Sequence, residues 1–263
     1  NEGWDDTPTQ KIIEINEDTW KLLEDWIPDV KRVFMTGGEP TIIKRNLDYI
    51  NKIIETGYAK NIELIFTTNA TNINKKFLEF KEHFKNIHFS VSIDAVNEIA
   101  NYIRFPSNWK TIKQNLELIG QNNVGVAINT TIQWLNMTRL NEMFEFIEEH
   151  VASKPKQFAG VWFQLVTHPN YLDPIYAPKF MKEKAIHDIN SFLNTSTMLQ
   201  DEKYSGILQG EFKQSLISSK EFLENNIDNV KYVDSFLKKM SILDRLRSQN
   251  LFTILPELKQ LGG

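Results

Sequence analysis

The chain has 263 residues, and its 41% hydrophobic content suffices for a sizeable packed core in one large domain or two ordinary ones. Thirty Lys and Arg against 34 Asp and Glu give a net charge of −4, which leaves no basic excess for a nucleic acid. The sequence contains no cysteine, which excludes disulfides and thiolate metal sites within these residues. No apolar run approaches the ~20 residues that a membrane-spanning helix needs. We therefore expect a soluble cytoplasmic protein whose partners are neither nucleic acids nor membranes.

Short β-rich runs alternate with longer segments of helical period in the first two thirds of the chain, as in repeated βα units. The predicted strands are residues 31–37, 61–69, 86–94, 124–133 and 160–168. The amphipathic segments that can cover one face of a parallel sheet are residues 47–55, 74–84, 108–119 and 140–150. Three prolines follow His168, and the remainder has a helical, charged pattern. This predicts a domain over 1–172 and a mostly helical extension over 173–263.

One face of the predicted sheet is polar, although parallel strands covered on both faces are normally apolar throughout. The polar side chains that alternate with apolar ones, or that end a strand on the same face, are Thr67, Asn69, His88, Ser90, Ser92, Asp94, Asn129, Thr131, Gln133, Trp162, Gln164 and His168. The carboxyl ends of parallel strands are where α/β folds place ligands, so we predict a ligand site there. The alternative is a sheet whose polar face lies in water.

The strongest local signal is the sequence Thr-Gly-Gly-Glu-Pro at the end of the first predicted strand. Gly37 and Gly38 allow a sharp turn and a close approach to a ligand, and Pro40 fixes the exit from the turn. Glu39 places a carboxylate at the sheet edge, where it could hold an ammonium group together with the carbonyls of the turn. A simple strand-to-helix turn is the alternative.

The run from Val33 to Pro40 resembles the GGEP motif of radical S-adenosylmethionine (radical SAM) enzymes, and later sequences follow in the order expected of that family. These are the T-T-N run ending at Asn69, the S-I-D run ending at Asp94 and the Y-I-R run ending at Arg104. Trp20, the Y-I-R-x-P-x-x-W and T-x-Q-x-x-N patterns and the tail at 243–258 resemble the twitch-domain-containing subgroup. The resemblance implies an α/β fold: a partial (β/α)6 TIM-like barrel that lacks its first strand, with a mostly helical, twitch-like C-terminal extension.

The resemblance also implies residues that bind the methionine part of S-adenosylmethionine (SAM). Gly37, Gly38 and Glu39 would bind its ammonium group, and Arg104 would pair with its carboxylate. The role of Arg104 as a surface ion pair stays open at this point, because it lies on a predicted loop.

Further residues are implied to line the same cavity. Asn69 would lie near the adenosine side of SAM, Ser92 and Asp94 would reach the ribose or the methionyl part, and Gln133 would line the cofactor cavity. The resemblance names no catalytic residue in this sequence.

The cysteines that hold the iron–sulfur cluster of the family are missing. Their Cys-x3-Cys-x-x-Cys motif lies upstream of GGEP in the family, and a [4Fe–4S] cluster needs thiolates. One interpretation is that this segment precedes Asn1, so that the cluster is expected only with the missing segment; the non-Met start and the lack of a predicted strand before residue 31 favour it. The other is a relative that kept the fold and lost the cluster.

These observations lead to three functional hypotheses. The first is the core of a radical SAM enzyme, which with its cluster and an electron donor would abstract a hydrogen atom from an unknown substrate, possibly a peptide. The second is a non-catalytic relative that binds a ligand or a peptide. The third is a hydrolase or isomerase with Glu39 and Asp94 as acid and base and His168 as a helper. The five histidines show no metal-ligand spacing, so no metal site is predicted.

Overall fold

Five parallel strands form one sheet in the computed structural model, which describes residues 16–153, 158–201 and 208–262. In spatial order, which is also chain order, they are β1 (Arg32–Met35), β2 (Glu63–Thr68), β3 (Asn86–Ser92), β4 (Gly125–Ile132) and β5 (Phe158–Leu165). All five predicted strands are confirmed. All five end before the predicted residue because the residues at their carboxyl ends leave the sheet and enter the loops that follow. Among the described residues, β1 pairs only with β2.

Helices connect the strands and make up most of the chain after β5. Their bounds are α1 (Glu17–Asp25), α2 (Lys44–Glu55), α3 (Lys75–Glu79), α4 (Asn97–Ile103), α5 (Trp109–Gln121), α6 (Leu140–Ser153), α7 (Lys179–Thr195), α8 (Thr197–Gln200), α9 (Lys213–Asn225), α10 (Val233–Arg247) and α11 (Leu251–Ile254). The predicted helices 47–55, 108–119 and 140–150 correspond to α2, α5 and α6. The predicted helix 74–84 is divided into α3 and a 3-10 turn, Phe80–Glu82. None of these described helices is both long and apolar enough to traverse a bilayer.

The helices cover the apolar face of the sheet. Phe89 on β3 is fully buried and stacks on Phe66 of β2, with ring centroids 5.1 Å apart. Phe77 of α3 meets Phe66 edge to face at 5.2 Å. On the opposite face Ser92 is partly exposed and Gln164 is exposed. The predicted alternation is therefore confirmed along β3 and at the end of β5, where the apolar residues face the helices and Ser92 and Gln164 lie on the open face.

Polar contacts hold the C-terminal helices together and tie the C-terminal end of the chain to the segment before α6. Lys182 on α7 is fully buried, and its ammonium group donates to the backbone carbonyls of Ile175, Asn226 and Asn229 at 2.6 to 2.8 Å. Arg139, just before α6, forms two hydrogen bonds with the carboxylate of Glu257 near the C-terminus, at 2.7 and 2.9 Å.

The expected fold class is confirmed as α/β, one parallel sheet with flanking helices, consistent with a partial TIM-like barrel. A further 3-10 turn, Pro174–Tyr176, precedes the long helix α7 at the position of the predicted domain boundary near Asp173. That division into two domains stays a prediction. Residues 1–15 of the first predicted domain lie outside the described residues.

Candidate ligand site at the carboxyl edge of the sheet

Uncharged donors hold the carboxylate of Glu39 at the carboxyl end of β1. Thr68 donates its hydroxyl to both carboxylate oxygens, at 2.7 and 2.8 Å. The hydroxyl of Thr41 donates at 2.9 Å and the backbone N–H of Asn69 at 3.1 Å. Since Thr68 is the last residue of β2, these bonds place the carboxylate over the end of the neighbouring strand. Glu39 is partly exposed, and within the described part of the chain it has no ion-pair partner.

The turn before Glu39 needs its two glycines. Gly37 and Gly38 have φ angles of +89° and +55°, in the left-handed region that side-chain-bearing residues rarely adopt. A Cβ atom added at either position would meet nothing within 4 Å. The backbone of the turn is therefore exposed, and its amide and carbonyl groups are open to a ligand beside the Glu39 carboxylate.

A second carboxylate, Asp94, follows β3 and is paired with a cation. Asp94 is only 6% exposed; its Oδ2 accepts a hydrogen bond from Nε of Arg104 at 2.9 Å and lies 2.8 Å from Nη2 of the same guanidinium. Its Oδ1 accepts from the backbone N–H of Thr131 at 3.0 Å. The N–H groups at Nη1 of Arg104 have no acceptor among the residues that the structure describes, which leaves them for a ligand. Asp94 thus fixes the guanidinium of Arg104, whose side chain is 29% exposed, at the rim of the site.

Asn136 joins the loops after β3 and β4. Its side-chain amide donates to the backbone carbonyl groups of Asp94 and Thr131 at 2.7 and 2.8 Å, and its Oδ1 accepts from the backbone N–H of Gln133 at 2.8 Å. Asn136 is 2% exposed, so these bonds are shielded from water. These hydrogen bonds of Asn136 fix the position of Gln133, whose side chain is largely buried.

The other predicted site residues lie along the same edge with fewer contacts to one another. The backbone of Asn69 contacts Glu39, but its side-chain oxygen accepts from the N–H and hydroxyl of Thr71 at 2.9 and 2.6 Å. Ser92 stands in register with Asn129 of β4 on the open face. His168 is exposed on the loop after β5. The structure therefore forms two direct clusters, one around Glu39 and one around Asp94.

Thr41 and Thr68 were missed as site residues by the sequence argument. The strand alternation indicates polar residues on the open face, whereas Thr68 is 2% exposed and lies, next to Thr67, on the helix-covered side. A hydroxyl on the last residue of a strand can still reach across the edge. The position of Thr68 at the end of its strand, level with the turn that carries Glu39, could have indicated this contact.

A separate group of charges lies at the opposite, amino end of the open face. Nε of Arg32 on β1 donates to Glu63 of β2 at 2.6 Å, and Nδ1 of His88 on β3 lies 3.7 Å from the other Glu63 oxygen. Burial alone would raise the pKa of Glu63, but the hydrogen bond and charge of Arg32 outweigh it and lower that pKa. Burial lowers the pKa of His88, which favours the neutral imidazole.

An iron–sulfur cluster does not fit the residues present. Such clusters are held by thiolates, and the 263 residues include no cysteine. The described ranges also contain no group of three His, Asp or Glu side chains placed to hold a metal ion. The ligands of any cluster would have to come from outside these residues.

Comparison with known families agrees with the GGEP resemblance. Residues 10–147, more than half of the chain, match the family described as the radical SAM superfamily. The chain belongs to the radical SAM superfamily. The superfamily match spans β1 to β4, and so includes Glu39, Asp94 and Arg104. No curated protein matches the chain by sequence.

Comparison with solved structures finds proteins that are similar to this chain. Native anSMEcpe with bound AdoMet, which is SAM, is 16% identical with a TM-score of 0.50, over 86% of this chain and 57% of that one. Streptococcus suis SuiB is 14% identical with a TM-score of 0.49, over 67% of this chain and 40% of that one. Native anSMEcpe with bound AdoMet and the Cp18Cys peptide is 16% identical with a TM-score of 0.48, over 84% and 57%. The chain thus spans less than two thirds of the length of these neighbours.

Proposed function

We propose that this chain is the SAM-binding core of a radical SAM enzyme and that it holds the ammonium group of SAM on Glu39. The observation that carries the proposal is the Glu39 carboxylate, which receives uncharged donors alone from the described residues and sits beside an open Gly37-Gly38 turn. A carboxylate that is oriented but not neutralised favours a cationic ligand, because a charge-assisted hydrogen bond adds to the existing contacts.

The charges around Glu39 and Asp94 complement the SAM molecule. The pair of Asp94 and Arg104 is neutral, which leaves the single negative charge of Glu39. SAM carries a sulfonium, an ammonium and a carboxylate, and is a monocation. Glu39 would take the ammonium, and the free N–H groups of Arg104, held in place by Asp94, would take the carboxylate.

The remaining site residues would line the adenosine side of the cavity. Ser92 lies on the open face at the end of β3, the strand next to β2. Gln133 follows β4, and Asn136 fixes its position. Asn69 would contribute at its edge. When bound, SAM supplies the 5′-deoxyadenosyl group used for hydrogen-atom abstraction, while the residues of this chain bind and orient it.

A non-catalytic relative that binds SAM is the second candidate, and the absence of cysteine favours it. The two candidates differ in the product that they form. Protein isolated anaerobically from its source should release 5′-deoxyadenosine from SAM and dithionite if it is an enzyme, and none if it only binds. A hydrolase using Glu39 and Asp94 gains no support, because both oxygens of Asp94 already accept hydrogen bonds from Arg104 and Thr131.

Titration calorimetry with SAM and with S-adenosylhomocysteine tests the proposed function. Without a cluster we expect dissociation constants in the high micromolar range. Glu39→Gln should weaken SAM binding about tenfold, because one charge-assisted contact contributes about 1.5 kcal/mol. Glu55→Gln, at an exposed carboxylate on the last residue of α2, is the matched control and should bind like the wild type. Equal affinity of Glu39→Gln and the wild type would contradict the proposal.

A further inference from the structure

An indole ring lies flat on the open face of the sheet, at β5. Trp162 points to the same face as Gly160, two residues earlier on the strand. A Cβ atom added to Gly160 would come within 2.5 to 3.0 Å of three carbon atoms of the Trp162 ring. The absence of a side chain at Gly160 therefore lets the indole rest on the strand backbone, with its other face turned away from the strand.

A carboxylate from the C-terminal part of the chain stands at the edge of this ring. Glu211, on the π-helical turn Leu208–Phe212, accepts a hydrogen bond from Nε1 of Trp162 at 3.1 Å. Both residues line a surface pocket of about 680 Å³ with Gly210, Gln214, Ser215 and Ser218. The pocket therefore combines one aromatic face with one exposed carboxylate.

The charge of this pocket is not balanced by the described residues. None of their ion pairs or cation–ring contacts includes Trp162 or Glu211. Glu63 and Asp94 differ, since Arg32 pairs with Glu63 and Arg104 with Asp94. An aromatic face attracts cations through its quadrupole, and an adjacent carboxylate adds to that attraction.

The pocket adjoins the proposed SAM site. Trp162 stands in register with Asn129, and Asn129 with Ser92, so that the three side chains form one row across β5, β4 and β3. Two strand spacings separate Trp162 from Ser92, which is about 10 Å. A group bound on Trp162 would thus lie beside a ligand at Ser92.

We propose that Trp162 and Glu211 form a substrate subsite for an alkylammonium group, such as a lysine side chain. The ammonium would sit over the free face of the indole and pair with the Glu211 carboxylate, while its alkyl chain would pack on the ring. The assignment of this cation as the substrate rests on the proposed function, since it places the subsite next to SAM. Binding of the cation itself does not require SAM.

NMR titration of the whole chain without SAM tests the subsite. The signal is the indole N–H resonance of Trp162, assigned by its loss in Trp162→Phe. The probes are acetyl-glycyl-lysyl-glycinamide, its norleucyl counterpart and n-butylammonium. We expect the lysyl peptide to shift this resonance with an affinity at least fivefold above that of the norleucyl peptide. A free amine as the natural ligand would instead make butylammonium bind as tightly as the lysyl peptide, which would overturn the lysine side chain as the ligand.

Matched variants separate this subsite from the SAM site. Glu211→Gln should reduce the preference for lysyl over norleucyl peptide at least threefold, whereas Glu221→Gln, at an exposed carboxylate on α9, should leave it unchanged. Glu39→Gln should leave lysyl binding unchanged, so a failure of SAM binding would not remove the subsite. Equal binding of both peptides, or an unchanged preference in Glu211→Gln, would overturn the proposal.

Discussion

Two carboxylates at the same edge of the sheet differ in burial and in the charge of their partners. Asp94, after β3, is buried and ion-paired with Arg104. Glu39, after β1, is partly exposed and bonded to Thr41, Thr68 and a backbone N–H. Burial of a carboxylate without a cation is costly, so Asp94 needs Arg104 to be stable where it lies. Glu39 keeps access to water, and therefore keeps a charge that a ligand can use.

A carboxylate at the end of a strand therefore indicates that a site is present, but it does not indicate what that carboxylate does in the site. What decides the role is the charge of its partners and its exposure. Asp94 is a positioning residue that orients Arg104, and Glu39 is the group that we propose to contact SAM. The difference should appear as a separation between effects on folding and effects on binding.

Asp94→Asn should cause the largest loss of stability. It removes the charge that pairs with Arg104 while preserving the size of the side chain, and should lower the free energy of unfolding by about 3 kcal/mol. Glu39→Gln, the matched change at the other carboxylate, should cost about 1 kcal/mol or less, because no cation is left unpaired. Urea denaturation of both variants measures the difference. Equal losses of stability in Asp94→Asn and Glu39→Gln would contradict the proposed difference between the two carboxylates.

Thr68→Val should have an intermediate effect on stability. The variant keeps the shape of a buried side chain but removes the hydroxyl that donates to both Glu39 oxygens and accepts from the N–H of Ala70. We expect a loss of about 1 to 2 kcal/mol in urea denaturation and weaker SAM binding by calorimetry. Thr68→Ser should restore both, since it returns the donor. Thr67→Val, on the open face, is the control, and a loss as large as that of Thr68→Val would argue against a specific role of the Thr68 hydroxyl.

Glu257 resembles Asp94 and should show the smallest effect of the three. Burial alone would raise the pKa of Glu257, but its hydrogen bonds from Arg139 and Thr138 lower it below the usual 4.5. Because the pKa is lower in the folded state, this stabilisation is full above about pH 4.5 and is lost as the pH falls through the folded value. Glu257→Gln should therefore cost about 1 kcal/mol at pH 7 and less near pH 4. Denaturation at both pH values, with Glu221→Gln as control, measures it; a cost that grows on acidification would contradict the sign.

The sheet could be predicted from the sequence because burial imposes a period of two on each strand. Along β3 the apolar residues Ile87, Phe89 and Val91 face the helices, and Ser92 faces the open side, as the pattern requires. The five strands and three of the five helices between them, α2, α5 and α6, follow from such periods. The helix α1 was not predicted; it is short and contains no fully buried residue.

The contacts of the site could be predicted only in part. The sequence placed Glu39 and Asp94 at one edge, but nothing in it paired Asp94 with Arg104, ten residues further along, since loop residues follow no period. Thr68 was missed because strand alternation describes where a side chain points within the sheet and not what its hydroxyl can reach at the strand end. The subsite at Trp162 depends on Glu211, which approaches from a separate part of the chain.

The central claim is that Glu39 binds the ammonium group of SAM while the pair of Asp94 and Arg104 stays intact. A crystal structure of the chain with SAM tests this most directly. The account predicts the methionyl nitrogen within hydrogen-bond distance of the Glu39 carboxylate, the methionyl carboxylate on free N–H groups of Arg104, and Arg104 still bonded to Asp94. SAM bound elsewhere, or bound with its ammonium group on Asp94 after Arg104 has left, would contradict the account.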